Sequence, residues 1–137
     1  MALTHLLDTS VYCQPLKPVP LAAVQTRWTA LGDEALAVSI VCEAELLYGL
    51  ELKGSPRLTA HYQHLLKDRL RSLVVDAPVA LAFARLKAWA KQKGHSASDF
   101  DFLIAATAQA HGLVLATLNY RHFQWMEGLA VEDWTHN

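Results

Sequence analysis

Leu3-Thr4-His5-Leu6-Leu7-Asp8-Thr9-Ser10 is the stretch that decides the fold. The run from Leu3 to Leu7 is short and mainly apolar, and it stops at an acid followed by two hydroxyls. Such a run, bounded by polar turn formers, predicts a strand. The same signal returns at Ala35 to Ile40, at Leu73-Val74-Val75, at Leu113 to Thr117 and, briefly, at Leu129 to Glu132.

Helical stretches fill the intervals. Pro18 and Pro20 break the chain, and Pro20 suits the first turn of a helix. In that helix Leu21, Val24, Trp28 and Leu31 recur at three- and four-residue steps, and Gly32 suits its end. A second helix is expected from about Val41 to Leu52, and Gly54-Ser55-Pro56 ends it and opens another that runs to about Arg69. Asp76-Ala77-Pro78 starts a further helix with Val79, Phe83, Leu86 and Trp89 on its apolar face, and Gly94 closes it. Ser98 reads as the N-cap of a helix from Asp99 to His111, with Gly112 as its stop. Strands separated by helices need crossover connections, which predicts a central, mainly parallel sheet between two helical layers. The expected class is therefore α/β, a three-layer α/β/α arrangement occupying residues 1–137 as a single domain.

Composition excludes several classes. With 53% apolar and 18% charged residues the chain is globular, not disordered. No apolar run approaches the roughly 20 residues of a membrane span. Met1-Ala2-Leu3-Thr4-His5 lacks the basic-then-apolar pattern of a signal peptide. The two cysteines, Cys13 and Cys42, are too few for a disulfide scaffold and wrongly spaced for a zinc site, and Cys42 reads as a core thiol. A cytoplasmic location is the expectation. The net charge of −1 is not that of a protein that grips long stretches of nucleic acid by its backbone, so any contact with RNA must come from a local basic patch.

In open parallel sheets functional groups collect beyond the carboxyl ends of the strands. Asp8 follows the first strand, Glu43 and Glu45 lie just after the second, Asp99 and Asp101 open a helix, and Thr117 and Asn119 follow the strand from Leu113. Carboxylates gathered at one place repel unless a cation sits between them. Oxygen donors suit magnesium and manganese, and such a site can acidify water and clamp a phosphodiester. Residues two apart on a helix point about 200° away from each other, so Glu43 and Glu45 cannot both face one ion, nor can Asp99 and Asp101. Helical angles alone leave both choices open. Structural duties compete: Ser98 and Asp101 also read as a capping box, and Asp8 as an Asx-turn.

The strand ending Leu6-Leu7-Asp8-Thr9-Ser10 resembles the N-terminal signature of PIN-domain nucleases. Glu45-Leu46-Leu47-Tyr48-Gly49 resembles their helical glutamate motif, and Asp99-Phe100-Asp101 with the helix it opens is similar to their third acid. Leu115-Ala116-Thr117-Leu118-Asn119-Tyr120-Arg121-His122-Phe123 resembles the fourth motif, and the ending from Gly128 to Trp134 suits VapC-type members. The four motifs occur in order across nearly the whole chain. The resemblance implies a Mg2+ (or Mn2+) site made by Asp8, Glu45 and Asp101, which selects Glu45 over Glu43 and Asp101 over Asp99. It implies metal-assisted hydrolysis of RNA phosphodiesters, the activity of the toxin in a type II toxin–antitoxin pair. Thr9, Ser10, Asp99 and Thr117 would support the acids. Asn119 stands where many members carry a fourth aspartate, which bears on a second ion. Lys87, Lys91 and Lys93, with Arg85 beside them, and Arg121 are candidates for RNA phosphate contacts. A homodimer and a cognate antitoxin are further implications, with Trp28, Tyr48, Trp125 and Trp134 as candidate anchors.

Two other readings compete. One is a catalytically weak PIN domain that binds protein or RNA, motivated by Asn119 and the near-neutral charge. The other is a phospho-aspartyl protein, but Ser10 occupies the position where the phosphatase pattern wants a second aspartate.

Overall fold

A computed structural model describes residues 2–136. Its centre is a five-stranded sheet of β1 (His5–Leu7), β2 (Leu36–Ser39), β3 (Arg71–Leu73), β4 (Val114–Thr117) and β5 (Val131–Asp133), ordered β3-β2-β1-β4-β5. Every pairing is parallel, with His5 opposite both Leu36 and Val114. Parallel neighbours require crossovers, and the helices supply them. These are α1 (Thr9–Tyr12), α2 (Ala22–Leu31), α3 (Ile40–Lys53), α4 (Pro56–Leu65), α5 (Ala77–Gln92), α6 (Asp99–His111) and α7 (Tyr120–Phe123). The expected layered α/β architecture is the one observed, with a sheet wholly rather than mainly parallel.

The chain winds outward from β1 through β2 to β3, then returns to the other side of β1 for β4 and β5. The strands nearest the centre are apolar on both faces. Leu6, Leu7, Leu36, Ala37, Val38, Leu115 and Ala116 are all buried. Trp28 and Trp134 join this core, so neither is available as a surface anchor. Truncating Leu115 to alanine would cost about 2–5 kcal/mol, the usual range for a large-to-small change in a core.

Local chemistry explains most boundaries. Asp76 caps α5 by accepting from the Val79 amide at 3.2 Å, and Ser98 caps α6 by accepting from Asp101 at 3.1 Å. Gly112 ends α6 at φ 64°, a left-handed position that a β-carbon would strain. Pro20 stands one residue before the N-cap of α2, Leu21, and not in the first turn of that helix.

One expected strand lies elsewhere. Leu73-Val74-Val75 is not the strand; Arg71–Leu73 is, and Val74 and Val75 are exposed. β3 is an edge strand paired only with β2, so a single buried residue, Leu73, fixes its register. The expected helix to Arg69 is also shorter, stopping at Leu65 before a turn in which Asp68 adopts φ 59°. Both cysteines are free. Among the described residues no helix is long and apolar enough to cross a membrane.

Candidate active site

The winding direction reverses between β1 and β4, and in parallel sheets such a reversal opens a crevice at the carboxyl ends. Asp8 and Thr117 flank that point. The Asp8 amide donates to Ala116 O at 3.0 Å, and its carboxylate caps α1 by accepting from Val11 N at 3.2 Å. The cap expected of an Asx-type residue is therefore present, but it uses only part of the carboxylate.

Two hydroxyls take the rest. Ser10 Oγ donates to Asp8 Oδ1 at 2.5 Å and Thr117 Oγ1 donates to Oδ2 at 2.6 Å. Each hydroxyl is itself held by a backbone amide, Leu118 N on Ser10 Oγ at 3.0 Å and Asn119 N on Thr117 Oγ1 at 2.8 Å. A hydroxyl has one proton, and an amide arriving at its oxygen leaves that proton free to point elsewhere. Both protons are thus aimed at Asp8, a cradle for the ionised carboxylate.

Burial opposes ionisation. Asp8 is only 4% exposed. Loss of solvent raises its pKa above the ordinary 3.8, outweighing the lowering by Ser10, Thr117 and the Val11 and Ser10 amides. Among the described residues no Lys, Arg or His forms an ion pair with it. A buried carboxylate is here supported by neutral donors alone.

Glu45 joins from α3, which begins directly after β2 with Ser39 accepting from Val41 N at 3.0 Å. Thr9 Oγ1, next in the chain to Asp8, donates to Glu45 Oε1 at 2.7 Å. Buried Cys42 reports the same convergence: burial pushes its thiol up, and the charges of Asp8 and Glu45 push it further. Glu43 has another duty. It accepts from Tyr12 Oη at 2.7 Å and from the Tyr62 hydroxyl, tying α1, α3 and α4 together. The two glutamates that helical angles left undecided are separated by their partners.

Asp101 and Asp99 divide similarly. Asp101 lies on the face of α6 that carries buried Ile104, Ala105 and Ala108, and its side chain is 29% exposed. It receives the cap contact through its amide, while its carboxylate stands 4.0 Å from His122 Nδ1 on α7. The sequence gives no hint of that histidine beyond its place in the fourth motif. Asp99 turns outward, 61% exposed, and pairs with Lys87 Nζ at 2.7 Å. Lys87 is therefore already engaged, whereas Lys91, Lys93, Arg85 and Arg121 are exposed. Asn119 enters the network through its backbone amide, and its side chain makes no capping bond to α7.

Contacts thus run from Glu45 through Thr9 to Asp8, and from Asp8 through Thr117 to the start of α7, which carries His122 to Asp101. Among the described residues no three His, Cys, Asp or Glu side chains stand as a ready-made metal cage. Beside Glu45 and Thr9 a cavity of about 450 Å³ opens, walled by Leu16, Leu46 and Leu58 with Lys17 and Lys53.

The PIN-domain family model matches residues 5–127. The chain belongs to the PIN-domain family. It is 31% identical over 133 residues to the tRNA(fMet)-specific endonuclease VapC of Shigella flexneri, covering 97% of this chain and 99% of that protein. It is 34% identical over 122 residues to the toxin FitB of Neisseria gonorrhoeae, covering 82% and 85%. Among solved structures, DNA-bound VapBC from Salmonella typhimurium superposes with a TM-score of 0.86 at 29% identity, covering 96% of this chain and 98% of that one. FitAcB from Neisseria gonorrhoeae gives 0.87 at 30% identity, covering 98% and 100%.

Proposed function

We propose that this chain is an endoribonuclease and the toxin of a toxin–antitoxin pair, cutting RNA phosphodiesters with magnesium or manganese held by Asp8, Glu45 and Asp101. PIN-domain membership and the VapC and FitB relatives support the activity class. One observation of the site carries the rest: Asp8 is buried and oriented as a carboxylate, yet among the described residues no cation pairs with it. An all-oxygen donor set is what hard divalent ions prefer. Such an ion would offset charge on the scissile phosphate and make a bound water more acidic.

The chain's own residues do the positioning. Ser10 and Thr117 hold both oxygens of Asp8, and Thr9 holds Glu45, so two carboxylates are fixed before substrate arrives. Asp101 approaches from α6, with exposed His122 beside it at the rim where an anionic substrate would pass. Lys91, Lys93 and Arg121 contact RNA phosphates outside the acidic centre, which accommodates a chain of near-neutral charge.

Partners follow from the same class. A cognate antitoxin would block the centre, and the apolar cavity beside Glu45 is a place for its peptide. Ile40, Leu47 and Tyr48 on α3 and Leu81 on α5 are exposed apolar residues that a second copy would cover in a homodimer. The site of action is the cytoplasm.

Cleavage of total RNA tests the reading. The wild-type protein is expected to cut with Mg2+ or Mn2+, and Asp8→Asn to be inactive. Undiminished cutting in excess chelator contradicts the metal role. RNA binding without cutting or cation binding would instead identify a binding module.

A further inference from the structure

An aromatic cluster lies outside the acidic centre. The Trp125 ring stacks with His95 at 4.6 Å between centroids and 25° between planes, and with Trp89 at 6.3 Å and 13°. His95 and Trp89 are also near-parallel, at 6.2 Å and 24°. Phe102 meets Trp125 edge-on at 6.3 Å and 90°, anchoring the group to the residue after Asp101. Trp89 and Trp125 are half-buried, but His95 is exposed. A core cluster has no need to extend its stack into solvent through an imidazole.

The surroundings match one kind of ligand. Lys91 and Lys93 are exposed at the end of α5 just before His95, and Arg121 is exposed on α7 just before Trp125. Nearby acids are few: Asp99 is paired with Lys87, and Glu127 shares a small cavity with Arg85 and Trp89. Tyr120, Arg121 and His122 lead from Asp101 along α7 towards this group. Cations for phosphates interleaved with stacked rings for bases are what single-stranded nucleic acid requires.

We propose that His95, stacked on Trp125 and Trp89, is a nucleobase platform that holds single-stranded RNA flanking the scissile linkage, with Lys91, Lys93 and Arg121 on its phosphates. The proposal rests on the ribonuclease reading. Stacking accepts any base, so the platform sets the path and the need for an unpaired segment rather than a sequence.

The test uses the full chain with Asp8→Asn to prevent cutting and a labelled single-stranded RNA of about eight nucleotides. His95→Ala is expected to weaken binding about 5- to 150-fold, the loss of one base–aromatic stack. His95→Phe should restore it, because the ring and not the imidazole nitrogens makes the contact. The salt dependence should be unchanged in His95→Ala and shallower by about one ion in Lys91→Gln. Trp125→Phe checks that the underlying ring matters and preserves packing against Phe102. Unaltered affinity in His95→Ala, or no recovery in His95→Phe, overturns the platform. If the wild-type chain cuts RNA while these variants bind normally, only the platform fails; if no RNA is bound or cut at all, the ribonuclease reading fails with it.

Discussion

Two acids flank the short central strand, and they are satisfied in opposite ways. Glu132 on β5 meets His5, the first residue of β1, at 2.9 Å, accepts from Trp134 Nε1 at 3.1 Å and lies 4.0 Å from Arg27. Burial would raise its pKa, but the bonds from Trp134 and His5 and the charges of His5 and Arg27 carry it below the ordinary 4.5. Asp8, beyond the last residue of the same strand, meets only hydroxyls and backbone amides among the described residues, and burial raises its pKa. The first acid is completed by the chain itself. The second has no charged partner among the described residues, which is what the proposed cation site rests on.

The largest expected effect breaks the Asp8 side. Asp8→Asn should reduce RNA cleavage by more than the roughly 10–100-fold typical of supporting residues. Thr117→Val, which keeps the shape but removes one of the two directed hydroxyls, should fall within that roughly 10–100-fold range, with cation affinity dropping in parallel. A Thr117→Val enzyme of wild-type activity would mean that the cradle is incidental.

The opposite loss is expected at Glu132. Glu132→Ala strands the indole N–H of fully buried Trp134 and should destabilise the fold by about 1–3 kcal/mol in denaturant titrations, with catalysis of the folded protein unaltered.

Acidification should separate the two acids. The contribution of Glu132 is present above its unfolded pKa and is lost only as pH falls through a depressed folded value. Asp8 is the reverse: its fold carries a cost while ionised, relieved as pH falls through a raised value. Because a ligand must be deprotonated, cation affinity should weaken at a pH above the ordinary aspartate range while circular dichroism still reports a folded chain. Simultaneous loss of fold and cation binding would erase the distinction.

The smallest expected effect is at Glu43, set against a large one at its neighbour Glu45. Glu45→Gln should impair cleavage strongly, whereas Glu43→Gln should leave it nearly intact and lower stability by about 0.5–1.5 kcal/mol through its tyrosine partners.

These contrasts show what a sequence can and cannot reveal. Strands β1, β2 and β4 were legible because central parallel strands are continuously apolar, and α6 because Ser98 and Gly112 mark both its ends. β3 was displaced because an edge strand with one buried residue leaves little pattern. Asp8 stood out by following a strand. Its supporting hydroxyls, Ser10 and Thr117, were indicated through the family resemblance and not by spacing, since Thr117 lies 109 residues away and the parallel pairing of β1 and β4 brings its hydroxyl to Asp8. The resemblance selected Glu45 over Glu43, but the physical reason for their separation lies in Tyr12, Tyr62 and Thr9, partners that no helical wheel contains. His122 carries no signal of its own in the sequence, because its relation to Asp101 crosses from α7 to α6.

Calorimetric titration of Mn2+ into the wild-type chain and into Asp8→Asn, Glu45→Gln and Asp101→Asn measures the shared ion without reference to catalysis. Saturable binding by the parent that is lost or sharply weakened in all three variants is the expected result. Full-strength binding retained by any one of the three would contradict a single ion held between them.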